Sequence, residues 1–161
     1  TPLIILYPIM KRITFWPQIF LGIVFNFGVI ICSMEIYGKL TIEYFILYVA
    51  CVFWTIGYDT IYAYQDIEDD KKNNIKSTAV LFGDKGKILV FFCYLIMFIF
   101  IAFLTFSKTK DMLVLAILTL IFIYILYNIF KWDIKSKDSS GKKFRQNNLF
   151  GAMIFLHLLI F

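Results

Sequence analysis

Between Asp59 and Ser77 the chain places five carboxylates (Asp59, Asp66, Glu68, Asp69 and Asp70) and three lysines (Lys71, Lys72 and Lys76), directly after a long apolar run. On one continuous helix turning about 100° per residue, Asp66 and Asp70 fall about 20° either side of Asp59, so a single face carries all three. Glu68 points the opposite way and Asp69 lies off to the side, which makes them the solvated members. Like-charged carboxylates on one face repel unless a cation sits between them. Mg²⁺ suits the place, because it prefers oxygen ligands, keeps several waters, and is commonly held by one or two carboxylates together with substrate phosphates. The neighbouring ammonium groups of Lys71, Lys72 and Lys76 fit the same chemistry as compact charges against phosphate oxygens. Asp59 follows "ACVFWTIGY" with no polar break and belongs within the membrane, where an ionised carboxylate is costly and marks a functional site by default. An EF-hand is excluded, since "DIEDDKKNNIKS" lacks the central Gly and ends in Ser77 where a bidentate Glu is needed.

The elements that must hold these groups are membrane helices. Of 161 residues, 61% are hydrophobic and 20% aromatic, well above a soluble domain, and the mean hydropathy is +0.80. A spanning helix needs about 20 mostly apolar residues. Four segments come close: Pro17 to Met34, Ile42 to Tyr64, Ile88 to Phe106 and Met112 to Phe130. Thr1 to Met10 reads as the end of a helix that began upstream, and Leu149 to Phe161 as a short or clipped one. Lipid offers backbone groups no partners outside helices or closed barrels, and these runs do not alternate as barrel strands do. The expected fold is therefore all-α, a polytopic transmembrane helix bundle forming a single domain over residues 1–161.

Thirteen of the sixteen Lys and Arg residues fall on one side of this layout, and Lys39, Lys108 and Lys110 on the other. The richer side is cytoplasmic by the positive-inside rule, which puts the acidic stretch at the cytoplasmic end of its span; the expected location is a bacterial inner membrane. The net charge of +5 is thus an orientation signal; no soluble face exists to make it a nucleic-acid surface. The three cysteines sit singly in apolar runs with no metal or disulfide spacing.

Other polar residues admit two readings each. Lys11 and Arg12 close the first partial helix and either anchor it or reach an anionic substrate group. Asn26, mid-span in "VFNFG", either bonds between helices or lines a cavity. His157 reads as a satisfied interhelical residue, Trp16 and Trp132 as interface anchors, and "DIKSKDSSGKKFRQNN" as a polar cytoplasmic connection without a catalytic pattern.

The run "YDTIYAYQDIEDDKKNNIKSTA", with "YPIMKRITFWPQIFLGIVFNFG" upstream, resembles the UbiA superfamily of intramembrane prenyltransferases over essentially the whole chain. The carrying motifs are D-x-x-x-D at Asp66 and Asp70, "KST" at Lys76 to Thr78, and Y-x-x-x-K at Tyr7 and Lys11. The resemblance implies a fold of about nine helices, of which these residues match about the last five to six. It also implies two aspartate-rich motifs holding Mg²⁺ against a polyprenyl diphosphate. Asp66 and Asp70 would be the catalytic, metal-holding pair. Tyr7, Lys11, Arg12, Asn26, Asp59, Tyr62, Lys72 and Lys76 would bind substrate. The implied reaction places a polyprenyl group on 4-hydroxybenzoate, ortho to its phenol, early in ubiquinone synthesis. Phe25, Phe53, Trp54 and Tyr62 would supply a dry pocket whose π-faces favour a carbocation. The first motif, N-D-x-x-D, is not in these residues, so the chain is expected to be the C-terminal portion of a longer domain, its N-terminal half in the same protein or on a separate chain, or an inactive piece of a split enzyme.

A cation carrier or channel is the alternative from a different class, because intramembrane carboxylates often line ion paths. Such a path needs polar groups at mid-depth on several spans. Met112 to Phe130 carries almost none, and the carboxylates gather at one membrane face, which favours the enzyme.

Overall fold

The computed structural model describes residues 9–159, and among these it contains helices and no strands. After a helical turn at residues 9–13, the helices are α1 (Pro17–Phe25), α2 (Phe27–Tyr37), α3 (Ile42–Ala63), α4 (Ile67–Lys72), α5 (Thr78–Phe82), α6 (Gly86–Thr109), α7 (Met112–Phe130) and α8 (Lys137–Leu158). Four stretches are long and apolar enough to cross a membrane: Pro17–Tyr37, Ile42–Ala63, Thr78–Thr109 and Met112–Phe130.

Local chemistry sets the boundaries. Pro17 opens α1, where its missing N–H costs nothing. Gly38 adopts φ 67°, a left-handed turn that ends α2. The hydroxyl of Thr41 accepts the Tyr44 N–H to start α3, Asp111 accepts the Leu113 N–H at 2.7 Å to start α7, and Ser136 accepts the Ser139 N–H at 3.2 Å to start α8.

α3 and α6 form the central pair. Gly57 lets them approach, since a Cβ there would lie 2.9 Å from the ring of Tyr94. Tyr94, Met97, Ile101, Ile121, Phe122, Ile125, Phe150 and Ile154 join in one buried cluster with Phe98 stacked on Phe122 at 4.2 Å. Large apolar side chains such as Phe103, Leu120 and Ile123 stay exposed, as a lipid-facing surface requires. The Thr105 hydroxyl and His157 Nε2 bond at 3.0 Å, tying α6 to α8 inside the bundle, which is the interhelical role expected for His157.

Four expectations need correction. The span from Pro17 is interrupted at Asn26, whose Nδ2 donates to the carbonyl of Gly22 at 2.8 Å and so takes up a backbone acceptor at the break. The acidic stretch is not one helix: α3 stops at Ala63, the Gln65 and Asp66 N–H groups turn back onto Tyr62 and Ala63, and Asp66 begins α4. Most of the polar run before Leu149 is not a connection: from Lys137 on it forms the first half of α8, a helix of 22 residues that reaches Leu158. Trp132 is no interface anchor; it is 1% exposed, donates to Ser140 Oγ at 3.0 Å and meets Tyr64 edge-on. Trp16 is half-buried with Phe82 against it edge-on at 5.5 Å.

Candidate active site

The break after Ala63 decides how the carboxylates are presented. Asp70 follows Asp66 by one turn of α4, its N–H donating to the Asp66 carbonyl at 2.8 Å. The Asp66 side chain makes no capping bond, so its oxygens are left for other partners; Lys137, at the start of α8, stands 3.7 Å away. Asp70 is half-buried, accepts a hydrogen bond from Ser77 and lies in the field of Lys11. Burial pushes its carboxyl above the usual range, the Ser77 bond and Lys11 pull it down, and the charges of Asp66 and Asp69 push it up again.

Asp59 remains on α3, half-buried, with Gln18 as its hydrogen-bond partner and in the field of the same Lys11. Gln18 is 1% exposed, and its Oε1 accepts the N–H of Thr78 at 3.3 Å, leaving the amide nitrogen to serve Asp59. Thr78 and Thr60 share a further bond at 2.8 Å. "KST" therefore works as a structural clasp: Ser77 caps α5 and bonds Asp70, while Thr78 ties α1, α3 and α5 together.

The other candidates divide. Lys76 donates through Nζ to the carbonyl of Ile13 at 3.0 Å and stands over the ring of Phe15. Lys72 pairs with Asp69 at 3.9 Å in full view of solvent. Arg12 is exposed beside Lys11. Tyr7 lies outside the described residues. Asn26 does both things expected of it: it bonds to Thr55 Oγ1 at 2.8 Å across to α3 and also lines a hollow of about 400 Å³. Phe25 and Trp54 line that hollow too; Tyr62 reaches its edge through Phe144, 5.0 Å between ring centres, and Phe53 is not part of the lining.

Sequence reading missed the α8 side of the hollow: Phe144, Asn147, Asn148 and Gly151. Their spacing of 3, 4 and 7 is a helical stripe, and it was the signal available in a segment taken for a loop. Lys137 and Gln18 carried no comparable signal, because each gained its role from a partner on another helix.

Among the described residues, no three His, Cys, Asp or Glu side chains gather as a metal site. Asp59 therefore does not join Asp66 and Asp70 in one cluster, as a single helical face had suggested. Two carboxylates one turn apart, with like charge bearing on the inner one, still fit a divalent ion that takes its remaining ligands from water and phosphate.

A multi-pass helix bundle with a two-carboxylate, lysine-flanked end is the class these features define. Its shape agrees with the solved apo structure of a UbiA homolog from Aeropyrum pernix K1, which this chain overlays over 97% of its length and 60% of that chain, with a TM-score of 0.55 and 24% identity. The model of the UbiA prenyltransferase family matches residues 1–159, and the chain belongs to that family. Prenyltransferases of this kind generally depend on a divalent metal. Similar proteins include 4-hydroxybenzoate geranyltransferase 2 of Lithospermum erythrorhizon, 38% identical over 99% of this chain and 52% of that one. Another is 4-hydroxybenzoate octaprenyltransferase of Pasteurella multocida, 34% identical over 96% of this chain and 53% of that one. The chain spans about half the length of these relatives.

Proposed function

We propose that this chain carries the second acidic half of an aromatic prenyltransferase that moves a polyprenyl group from its diphosphate to 4-hydroxybenzoate in ubiquinone synthesis. The allylic C–O bond breaks with its electron pair leaving on diphosphate; the ring carbon ortho to the phenol bonds the resulting carbocation and then loses its proton. The observation that carries this reading is the convergence on Lys11 of Asp59 from α3 and Asp70 from α4, beside a hollow walled by Trp54, Tyr58 and Phe144.

Asp66 and Asp70 would hold Mg²⁺, which supplies Lewis-acid stabilisation of the leaving diphosphate. Lys11 adds a fixed positive charge where the diphosphate's charge grows, and Gln18 keeps Asp59 aimed at that lysine. Tyr58 and Trp54, 6.2 Å apart and edge-on, exclude water from the carbocation and offer it a π-face. Relatives of this name are described both from bacteria and from mitochondria; the charge asymmetry places the acidic end on the positive, cytoplasm-facing or matrix-facing, side of either membrane. The segment matching the relatives' other half, in the same polypeptide or a separate one, would complete the cavity and supply the first acidic motif.

The test is transfer of a labelled prenyl group to 4-hydroxybenzoate by protein that includes that other segment. Asp66→Asn and Asp70→Asn are each expected to lower turnover at least about 100-fold, the scale of losing a principal electrostatic stabiliser, with membrane insertion intact. Near-normal turnover of either variant at limiting Mg²⁺ would remove the metal assignment.

A further inference from the structure

Three lysines from three segments gather at the end of α7. Lys87, in the first turn of α6, donates through Nζ to the Phe130 carbonyl at 3.5 Å. Lys131, the next residue along, stands over the Tyr127 ring at 4.6 Å. Lys143, on α8, donates to Asn128 Oδ1 at 2.9 Å. Burial, and after it the like charge of Lys131, hold the Lys143 ammonium below the usual lysine range. Among the described residues the ion pairs within 4.0 Å join Lys72 to Asp69 and Lys137 to Asp66, so none of these three lysines meets a carboxylate at that distance. Asp84, Asp133 and Asp138, the nearest carboxylates along the chain, are exposed, and Asp133 accepts the Lys135 N–H instead. The negative end of a helix accounts for one such lysine as a cap. It does not account for two that repel each other.

Beside this cluster α6 and α7 leave a hollow of about 370 Å³. Lys87 stands in its wall, which is otherwise Ile88, Phe91, Phe92, Ile129 and Phe130. Ile88, Phe92 and Phe130 are exposed, so the hollow opens on the outer, lipid-facing surface. None of these residues lines the hollow at Trp54.

We propose that this is a binding site for an anionic phospholipid, its phosphate held by Lys87 and Lys131 at the end of α7 and an acyl chain laid in the hollow between α6 and α7. Charge and place name the occupant. Cations without carboxylate partners, at the membrane face where headgroups lie and above an apolar slot, match a molecule that is anionic at one end and aliphatic along its length. An ammonium has three donors, and Lys87 spends one on the protein, which leaves the others for phosphate oxygens. A zwitterionic lipid brings its own cation, which these lysines repel. Bound there, the lipid would offset the repulsion between Lys131 and Lys143 and hold the end of α7 between α6 and α8. The site is independent of the prenyltransferase reading.

The experiment titrates dioleoyl phosphatidylglycerol or dioleoyl phosphatidylcholine into detergent-solubilised protein that includes the other segment. It reads the lipid concentration that half-saturates the rise in unfolding temperature. Phosphatidylglycerol should half-saturate at a concentration at least about tenfold lower, since each of two lysines favours an anionic lipid about fivefold. Lys131→Gln gives up only the contact with Tyr127 and should weaken phosphatidylglycerol about fivefold while leaving phosphatidylcholine unchanged. Adding Lys87→Gln should bring the loss to about 25-fold. Ile88→Trp, which fills the hollow, should weaken phosphatidylglycerol as well. Lys135→Gln with Lys142→Gln, two exposed lysines of the same membrane face, should change neither lipid. A lysine that only braces the fold would lower the unfolding temperature without lipid and leave half-saturation where it was, which would overturn the proposal. So would equal response to the two lipids, no response to either, or an equal loss in the Lys135 and Lys142 pair. Inorganic phosphate that reproduces the full rise would show a site for a free anion and sink the lipid assignment.

Discussion

The N–H of Lys76 donates to the carbonyl oxygen of Lys11 at 2.8 Å, joining the loop after the acidic helix to the turn at residues 9–13. Lys76 Nζ adds a bond to the Ile13 carbonyl at 3.0 Å. Lys76 thus fixes where that turn sits, and in the proposed reaction it would act through Lys11. Lys76→Met keeps the main-chain bond and loses the second together with the ammonium over the Phe15 ring, so transfer should fall a few-fold, whereas Lys11→Met should cost about 100-fold or more. Steady-state kinetics of the two variants decide this; equal losses would make Lys76 a direct phosphate ligand.

Lys11 should also govern the pH profile. Asp70 holds its proton to a higher pH than an ordinary carboxyl, chiefly through burial, and Lys11 opposes that. Protons and a divalent ion compete for the same oxygens, so metal-dependent transfer should fail on the acid side, and Lys11→Met should move that limb to higher pH. The folded chain binds this proton more tightly than the unfolded one does, so Asp70 contributes stability that is fully present below the ordinary carboxylate range and is lost as pH rises through the raised value. A pH–rate profile measured on both proteins at fixed Mg²⁺ is the check; an unmoved acid limb would take Lys11 away from Asp70.

Gln18→Leu strips a buried N–H, that of Thr78, of its acceptor and leaves Asp59 without its amide donor. The expected loss is about 1–3 kcal/mol of stability, read as a lower midpoint of thermal unfolding in detergent. Turnover of the protein that remains folded should fall as well. A variant with unchanged midpoint and turnover would show that the clasp does not matter.

Topology offers an independent check. Lys135 and Lys108 are both exposed and lie at opposite ends of the spans. Cysteines introduced there in a Cys32→Ser background should react with an impermeant maleimide from opposite sides of the membrane, Lys135→Cys from the cytoplasm. Labelling from one side only would break the span order.

The membrane spans could be read from the sequence because lipid imposes a simple rule, a run of apolar residues of the right length, and Met112–Phe130 emerged with the boundaries its hydropathy gave. The caps at Pro17, Thr41 and Asp111 are equally local. Asp66 and Asp70 stood out by type and spacing, without any knowledge of what surrounds them, whereas Lys11 on its own read equally as a helix-end anchor and joined them only through the resemblance.

The arrangement of those residues was decided elsewhere. Periodicity placed Asp59, Asp66 and Asp70 on one face, but that holds only while the helix continues, and contacts far along the chain oppose continuation. The Tyr64 hydroxyl is held by the Gly83 carbonyl, and Gln65 packs at Gly141 on α8. The polar first half of α8 looked like a loop because a hydropathy rule assumes lipid on all sides, whereas Asn147 spends its amide on Trp54, Tyr94 and the Lys143 carbonyl inside the bundle. The sequence by itself determined which segments enter the membrane and which side chains can do chemistry, since both depend on short-range chemistry. Only the tertiary structure decided that Lys11 stands in the field of both Asp59 and Asp70, because that meeting is made by helices whose contacts span 60 or more residues, as between Gln18 and Thr78.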